Sequence, residues 1–180
     1  MTEKLWFSQS VEGLLIRGVG AQMTPALNEQ LMALGIDLAH LQPAYPNDAV
    51  VSAIRLTASV LFPGQAEREA LRGMGAVFMR GFSETFMGKA MVQFMRVIGP
   101  RRSLERMERN FRTGGNYIET RFTALGPGKA EVWFNDVSGI PDFYAGIIER
   151  GGLFAGAKEL QVSFPAQVDA SCTFVVDWVE

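Results

Sequence analysis

The hydrophobic period of the chain changes at Gly114-Gly115. Before this pair, apolar residues recur at helical spacing; after it, they alternate. A helix must bury one stripe and a strand one side of a sheet, so a chain that does first one and then the other builds two layers on one core. The expectation is an α+β domain: an N-terminal helical layer packed on a small, mainly antiparallel sheet of about four strands.

Breakers divide the helical part. Residues 5–10 suit a short first strand, and 11–19 read as strand or helix. Thr24-Pro25 starts a helix, because threonine caps and proline at the first helical position loses no hydrogen bond; Gly35 ends it. Residues 36–46, with Pro43 and Pro46, read as an irregular connector. Asn47 or Asp48 caps the next helix, which runs to about Phe62 with Ile54, Ala58 and Leu61 as its buried stripe. A long helical stretch spans 65–98. Its stripe passes through Leu71, Met74, Phe78 and Phe82, then Met87, Met91, Phe94 and Ile98. The glycines at 73, 75, 81 and 88 predict a kink or division near 81–88. Pro100 opens a further helix with Leu104, Met107 and Phe111 inward and Arg102, Arg106 and Arg109 outward.

In the second part, residues 116–125 and 129–137 form a hairpin around Gly126-Pro127-Gly128. Pro141 opens a helix to about Ala157 that carries glycines at 146, 151, 152 and 156. Each costs up to about 1 kcal/mol relative to alanine inside a helix. Close approach of the sheet, a ligand or a second subunit must compensate. A second strand pair follows at 159–164 and 171–179, with Cys172, Phe174, Val176 and Trp178 on one face. Residues 1–180 read as a single domain.

The net charge of -2 argues against general nucleic-acid binding, which needs a basic face. The charge is unevenly spread: six arginines against two glutamates from Arg96 to Arg112, then four basic against nine acidic residues from Glu119 to Glu180. The basic segment either meets an anionic ligand or acidic partner, or is simply a solvated face. A single cysteine, Cys172, forbids an internal disulfide and fits a reducing, cytoplasmic setting. No apolar run approaches the ~18 residues of a membrane span.

Catalytic sets are hard to assemble. His40 is the lone histidine, in a connector, so a Ser-His-Asp or Cys-His arrangement would have to use it. One Cys and one His are too few for an ordinary zinc site. Gly18-x-Gly20 and Gly73-x-Gly75 lack the third glycine of a dinucleotide fingerprint, and no phosphate-binding GxxxxGK[ST] loop occurs. Glu84, Glu105, Glu119 and Asp177 show no paired spacing. The chain reads as a non-enzyme without metal or cofactor. Its nine methionines and thirteen phenylalanines suit either plain core packing or an adaptable apolar pocket. Phe78, Phe82 and Met91 are the pocket candidates.

The run Gly99-Pro100-Arg101-Arg102-Ser103-Leu104-Glu105-Arg106-Met107, with Phe111-Arg112 and Asn116-Tyr117, resembles an uncharacterised family of myxobacterial paralogues. Val11-Glu12-Gly13-Leu14, Gly35-Ile36-Asp37-Leu38, Pro43-Ala44-Tyr45-Pro46 and the closing 174–178 extend the resemblance over nearly the whole chain. No activity comes with it. A more distant likeness is to the fold shared by haem nitric-oxide/oxygen-binding (H-NOX) domains, vinyl-reductase-like ligand-binding domains and TRAPP subunits. In this fold helices precede a hairpin, a helix and a second hairpin. Gly146 to Lys158, with Cys172-Thr173-Phe174, is similar to the vinyl-reductase-like pattern. Tyr117-x-Glu119-x-Arg121 resembles the Tyr-x-Ser-x-Arg motif that holds haem propionates in the haem-binding branch. Here Glu119 replaces the serine, and the histidine that branch carries on the preceding helix is missing.

The resemblance implies a sensor or signalling adaptor that binds an apolar or amphipathic small molecule between helices and sheet. Arg101, Arg102 and Arg121, with Tyr117, are the candidates for an anionic head group. The alternative is a protein-interaction module that docks an acidic partner on Arg106 and Arg109; a haem-based gas sensor is the third reading. Excess apolar surface on the helical layer predicts a homodimer.

Overall fold

The computed structural model describes residues 3–165 and 170–180. Strand β1 (Leu5–Phe7) pairs antiparallel with β2 (Ala44–Pro46), Trp6 opposite Tyr45. Strand β2 thus lies inside the stretch whose prolines predict an irregular connector; Pro46, at the end of a two-stranded ribbon, leaves no central ladder bond unmade. From β1 the chain enters α1 (Ser8–Val11), which continues as a π-helical segment (Glu12–Gly18) burying Leu14 and Leu15.

Helix α2 (Pro25–Ala33) starts as its sequence predicts: the Thr24 side chain accepts a 3.2 Å hydrogen bond from the Leu27 amide. It ends before Gly35, whose φ of 82° only glycine adopts cheaply. Helix α3 (Asn47–Leu61) buries Ile54 and Ala58, while Leu61 is only half-buried. Asn47 does not cap it; its side chain turns into the core.

The long helical stretch divides in the glycine-rich region, into α4 (Glu67–Phe82) and α5 (Phe86–Glu105). Thr85 caps α5 by accepting from the Gly88 amide at 3.0 Å. Gly99, at φ 80°, breaks α5 before Pro100, so Pro100 does open a new helical run. The short α6 (Met107–Phe111) follows. The inward stripe predicted through Met87 and Phe94 is corrected: both are exposed, and α5 buries Val92 and Met95 instead.

Strands β3 (Thr120–Gly126), β4 (Lys129–Phe134), β5 (Glu159–Ser163) and β6 (Cys172–Val179) form one antiparallel sheet in the order β3-β4-β6-β5. Its inner face carries Ala130, Val132 and Phe134 beside Cys172, Phe174, Val176 and Trp178, all buried. Helix α7 (Pro141–Phe154) buries Phe143 and Tyr144 in the same core. Edge-to-face contacts, such as Phe111 of α6 with Phe134 of β4 at 5.3 Å, join the two layers.

The glycines of α7 compensate in different ways. Gly146 lies directly on the backbone of α4 at Arg72 and Gly75, and a side chain at either glycine would overlap the other helix's main chain. Arg68 with Asp142 at 3.1 Å and Arg72 with Glu149 at 2.9 and 2.6 Å bind the same two helices by charge. Gly13 and Gly18 meet Phe82, Val77 and Gly81 in the same manner. Helix α4 is therefore held backbone to backbone on two sides.

Gly146→Ala should lower stability by roughly 1–3 kcal/mol, the usual cost of overpacking, measured as a denaturant midpoint. Gly151→Ala is the control: its new Cβ would meet only the methyl ends of Met79 and Met95, both at 3.6 Å. That variant should be neutral or more stable, by up to about 1 kcal/mol. A Gly146→Ala protein as stable as the parent would contradict the contact.

Candidate functional site

Helices α4 and α7 touch at Gly75 and Gly146; five residues further on, Gly151 faces only side-chain methyls. The space so left is an apolar cavity of about 80 Å3. Phe78, Met79 and Phe82 reach it from α4, Met91 and Met95 from α5, Leu104 and Met107 from the kinked end of α5 and from α6, and Ile147, Ile148 and Gly151 from α7. Trp6 and Tyr117 close it toward the N-terminal ribbon and the sheet.

The hydroxyls at the cavity are already engaged, while the Asn110 amide also lines it. Ser10 donates to the Gly114 carbonyl at 3.0 Å and Ser103 to that of Gly99 at 2.8 Å. Tyr117 donates to Asn47 Oδ1 at 2.8 Å, so its contact of 3.2 Å with Tyr144 uses the Tyr144 hydroxyl as donor. The same Asn47 oxygen accepts from Trp6 Nε1 at 3.0 Å and Ser138 Oγ at 3.3 Å. Burial pushes the Tyr117 hydroxyl up, and the fully buried Tyr144 well above the ordinary tyrosine range. This seam ties α7, the approach to β3, α3 and β1 together along one wall of the cavity.

Phe78, Phe82, Met91 and Tyr117 are brought together as candidates, all lining the cavity. The arginines are not. Arg101 is exposed and pairs with Glu105 at 3.1 Å; Arg102 is exposed; Arg121 stands outside on β3, its guanidinium 4.4 Å from the Trp133 ring. The anionic head-group cradle is therefore not assembled around Tyr117. Arg106 and Arg109 are exposed beside Glu105, Glu108 and Arg112 in a shallow surface depression. His40 is exposed and sits 3.0 Å from Asp37. Cys172 is buried on β6, its thiol pushed up to about 11 by desolvation, and does not line the cavity. Among the described residues, no group of three His, Cys, Asp or Glu side chains is placed to hold a metal.

Sequence reasoning missed Trp6, Asn47, Tyr144 and the α7 isoleucines. The excess of glycine in α7 was the available signal for Gly151. Asn47 gave none, because a helix-start asparagine already has an ordinary use.

Solved H-NOX structures share this fold. An H-NOX protein from S. oneidensis in its Fe(II)NO state superposes with a TM-score of 0.73 at 10% identity, covering 97% of this chain and 100% of that one. An unliganded Fe(II) H-NOX variant from K. algicida gives 0.69 at 8%, covering 97% of each. A Cs H-NOX mutant carrying 4-cyano-L-phenylalanine gives 0.72 at 14%, again covering 97% of each.

The residues present do not fit a haem. The helices before Tyr117 face the cavity with Met91, Met95, Leu104, Met107 and Phe111, and no histidine lines it. Thioether sulfur serves haem iron opposite a histidine, and tyrosine serves through its hydroxyl oxygen; the Tyr117 and Tyr144 hydroxyls are instead taken up in hydrogen bonds to Asn47 and to each other. Of Tyr117, Glu119 and Arg121, only Tyr117 touches the cavity.

The raised tyrosines have a consequence at alkaline pH. In the unfolded chain a tyrosine ionises near 10.0. With higher folded values, the stability they contribute is complete below that pH and is lost as pH rises through the folded values. Ultraviolet titration of the native protein should leave Tyr117 and Tyr144 protonated where free tyrosine has ionised. Tyr144→Phe should flatten the alkaline loss of stability and cost about 1 kcal/mol at neutral pH. An unchanged alkaline slope would contradict the assignment.

No curated protein matches the sequence. The family described as "Protein of unknown function (DUF2378)" matches residues 4–179, and the chain belongs to that family.

Proposed function

We propose that this protein is a non-catalytic sensor domain that holds a small apolar molecule in the cavity between α4, α5 and α7. The observation that carries the reading is the lining: methionines 79, 91, 95 and 107 with Phe78 and Phe82 around a space where Ser10, Ser103 and Tyr117 are already hydrogen-bonded and Asn110 adds a further polar side chain. Such a site selects by shape and apolarity rather than charge.

Size narrows the occupant. The 80 Å3 of free space is several times the roughly 10–15 Å3 that admits one water. It falls short of the roughly 300–1,000 Å3 of pockets for drug-sized ligands. A compact molecule of a few heavy atoms fits directly; a larger one needs the methionines to change rotamer, which unbranched thioethers do easily. The similarity to H-NOX structures, one of them in an Fe(II)NO state, supports a sensor role for the fold. In this chain the ligand itself takes the place of a haem.

Occupancy has a route outward. A ligand pressing on Tyr117 or Trp6 strains their shared acceptor, Asn47 Oδ1, which links β1 and α3 to the sheet side. Asn47→Leu keeps the bulk and removes the acceptor. It should leave binding within about threefold while removing the ligand-dependent change in hydrogen-exchange protection of the β1 and β2 amides.

Native mass spectrometry of the purified chain, beside its denatured mass, tests the reading. The expected result is a small non-covalent adduct on the 19.8 kDa chain, absent from Gly151→Leu, whose side chain would fill the cavity. Added haem should give no stoichiometric Soret band. A ligand-free chain whose melting temperature no apolar molecule raises would overturn the proposal, as would tight haem binding.

A further inference from the structure

The outward face of α5 is apolar and uncovered. Phe86, Ala90, Phe94 and Val97 follow one another at steps of four, four and three residues, so they share one side of the helix. Phe86 is 88% exposed and Val97 85%, with Phe94 at 46% and Met87 at 43%. The opposite side, with Val92 and Met95, is already buried. A contiguous apolar strip of this kind marks an interaction surface on a soluble domain.

The charges beside the strip are basic. Lys89 and Arg96 occupy the solvent flank of α5, and the Arg106 guanidinium stands 5.6 Å from the Phe94 ring centre on the other flank. From Glu84 to Arg112 there are seven basic and three acidic residues, although the whole chain carries -2. Two of those acids, Glu105 and Glu108, are engaged with Arg101 and Arg112.

We infer that this face of α5 docks on an anionic lipid surface, with Phe86, Phe94 and Val97 entering the headgroup boundary and Lys89, Arg96 and Arg106 on the phosphates. Side chains as exposed as Phe86 and Val97 are knobs without a surrounding groove; a bilayer accepts knobs, whereas a partner helix needs a seat. A second copy of the chain would bring like-charged flanks together. The long stems of lysine and arginine let their charges stay at headgroup level beside buried apolar groups. The uneven charge orients the approach, basic face first. The contact is peripheral: among the described residues, no helix is long and apolar enough to cross a membrane.

Flotation of the full chain with vesicles tests this, using phosphatidylcholine alone and equal parts phosphatidylcholine and phosphatidylglycerol. At low salt the chain should float with the anionic vesicles at least about tenfold more than with the neutral ones. Phe86→Ser with Val97→Ser should reduce that by at least about tenfold. Lys89→Glu with Arg96→Glu should remove its salt sensitivity. All four positions are exposed, and unchanged thermal melts verify that the variants are folded. Absence of flotation overturns the inference, as does flotation that survives the Phe86/Val97 change. Two further results also overturn it when flotation is absent. One is a dimer mass that this double variant halves, which gives the face to a second copy. The other is saturable binding of an acidic amphipathic peptide, which gives it to a protein.

Discussion

The meeting of α4 and α7 at Gly75 and Gly146 is the contact on which the rest of the molecule depends. Two helices at this separation cannot interleave side chains; their backbones touch, and dispersion between main chains replaces the usual ridges and grooves. Helix α7 brings the sheet's inner face with it, through Tyr144 against Phe134 at 5.5 Å. Helix α4 brings the N-terminal segment, through Gly13, Gly18 and Gly81. Close contact at one level leaves room at another, and the cavity opens where Gly151 has only methyl groups opposite.

The polar seam follows from that closeness. Burying tyrosine and tryptophan donors is costly unless each finds an acceptor. One amide oxygen, on Asn47, serves two of them, Trp6 and Tyr117, and Tyr117 in turn accepts from Tyr144. Placing it on the first turn of α3 links elements that are far apart in sequence. Across the cavity the lining is mainly methionine and phenylalanine, with Ser103 and Asn110 as its polar members, which gives one hydrogen-bonded side and one adaptable side.

Much of this was legible in the sequence where a local rule decides the outcome. Thr24-Pro25, Gly35, the Gly126-Pro127-Gly128 turn and the alternation from Cys172 to Trp178 each fix one element by backbone chemistry. The cavity residues Phe78, Phe82 and Met91 lay on helical stripes and could be named. What escaped depends on partners distant in the chain. Strand β2 exists because β1 lies beside it, despite its proline. Met87 and Phe94 have the period of a buried stripe, yet α5 turns its other side inward, and periodicity alone does not say which apolar arc meets the core. Arg101, Arg102 and Arg121 carried the right charge for a head group but sit outside, because Gly99 and the pleat of β3 direct them to solvent. Asn47 looked like a cap and became a core acceptor.

The cavity is predominantly apolar and bounded by four methionines. Its most direct test labels the methionine methyl groups with carbon-13 and records their magnetic resonance spectra under rising xenon pressure, since xenon enters apolar cavities that exclude water. The methyls of Met79, Met91, Met95 and Met107 should shift together and saturably, while that of Met32, 53% exposed on α2, stays in place. Uniform small shifts of all the methionines, or none at the four lining the cavity, would contradict the account.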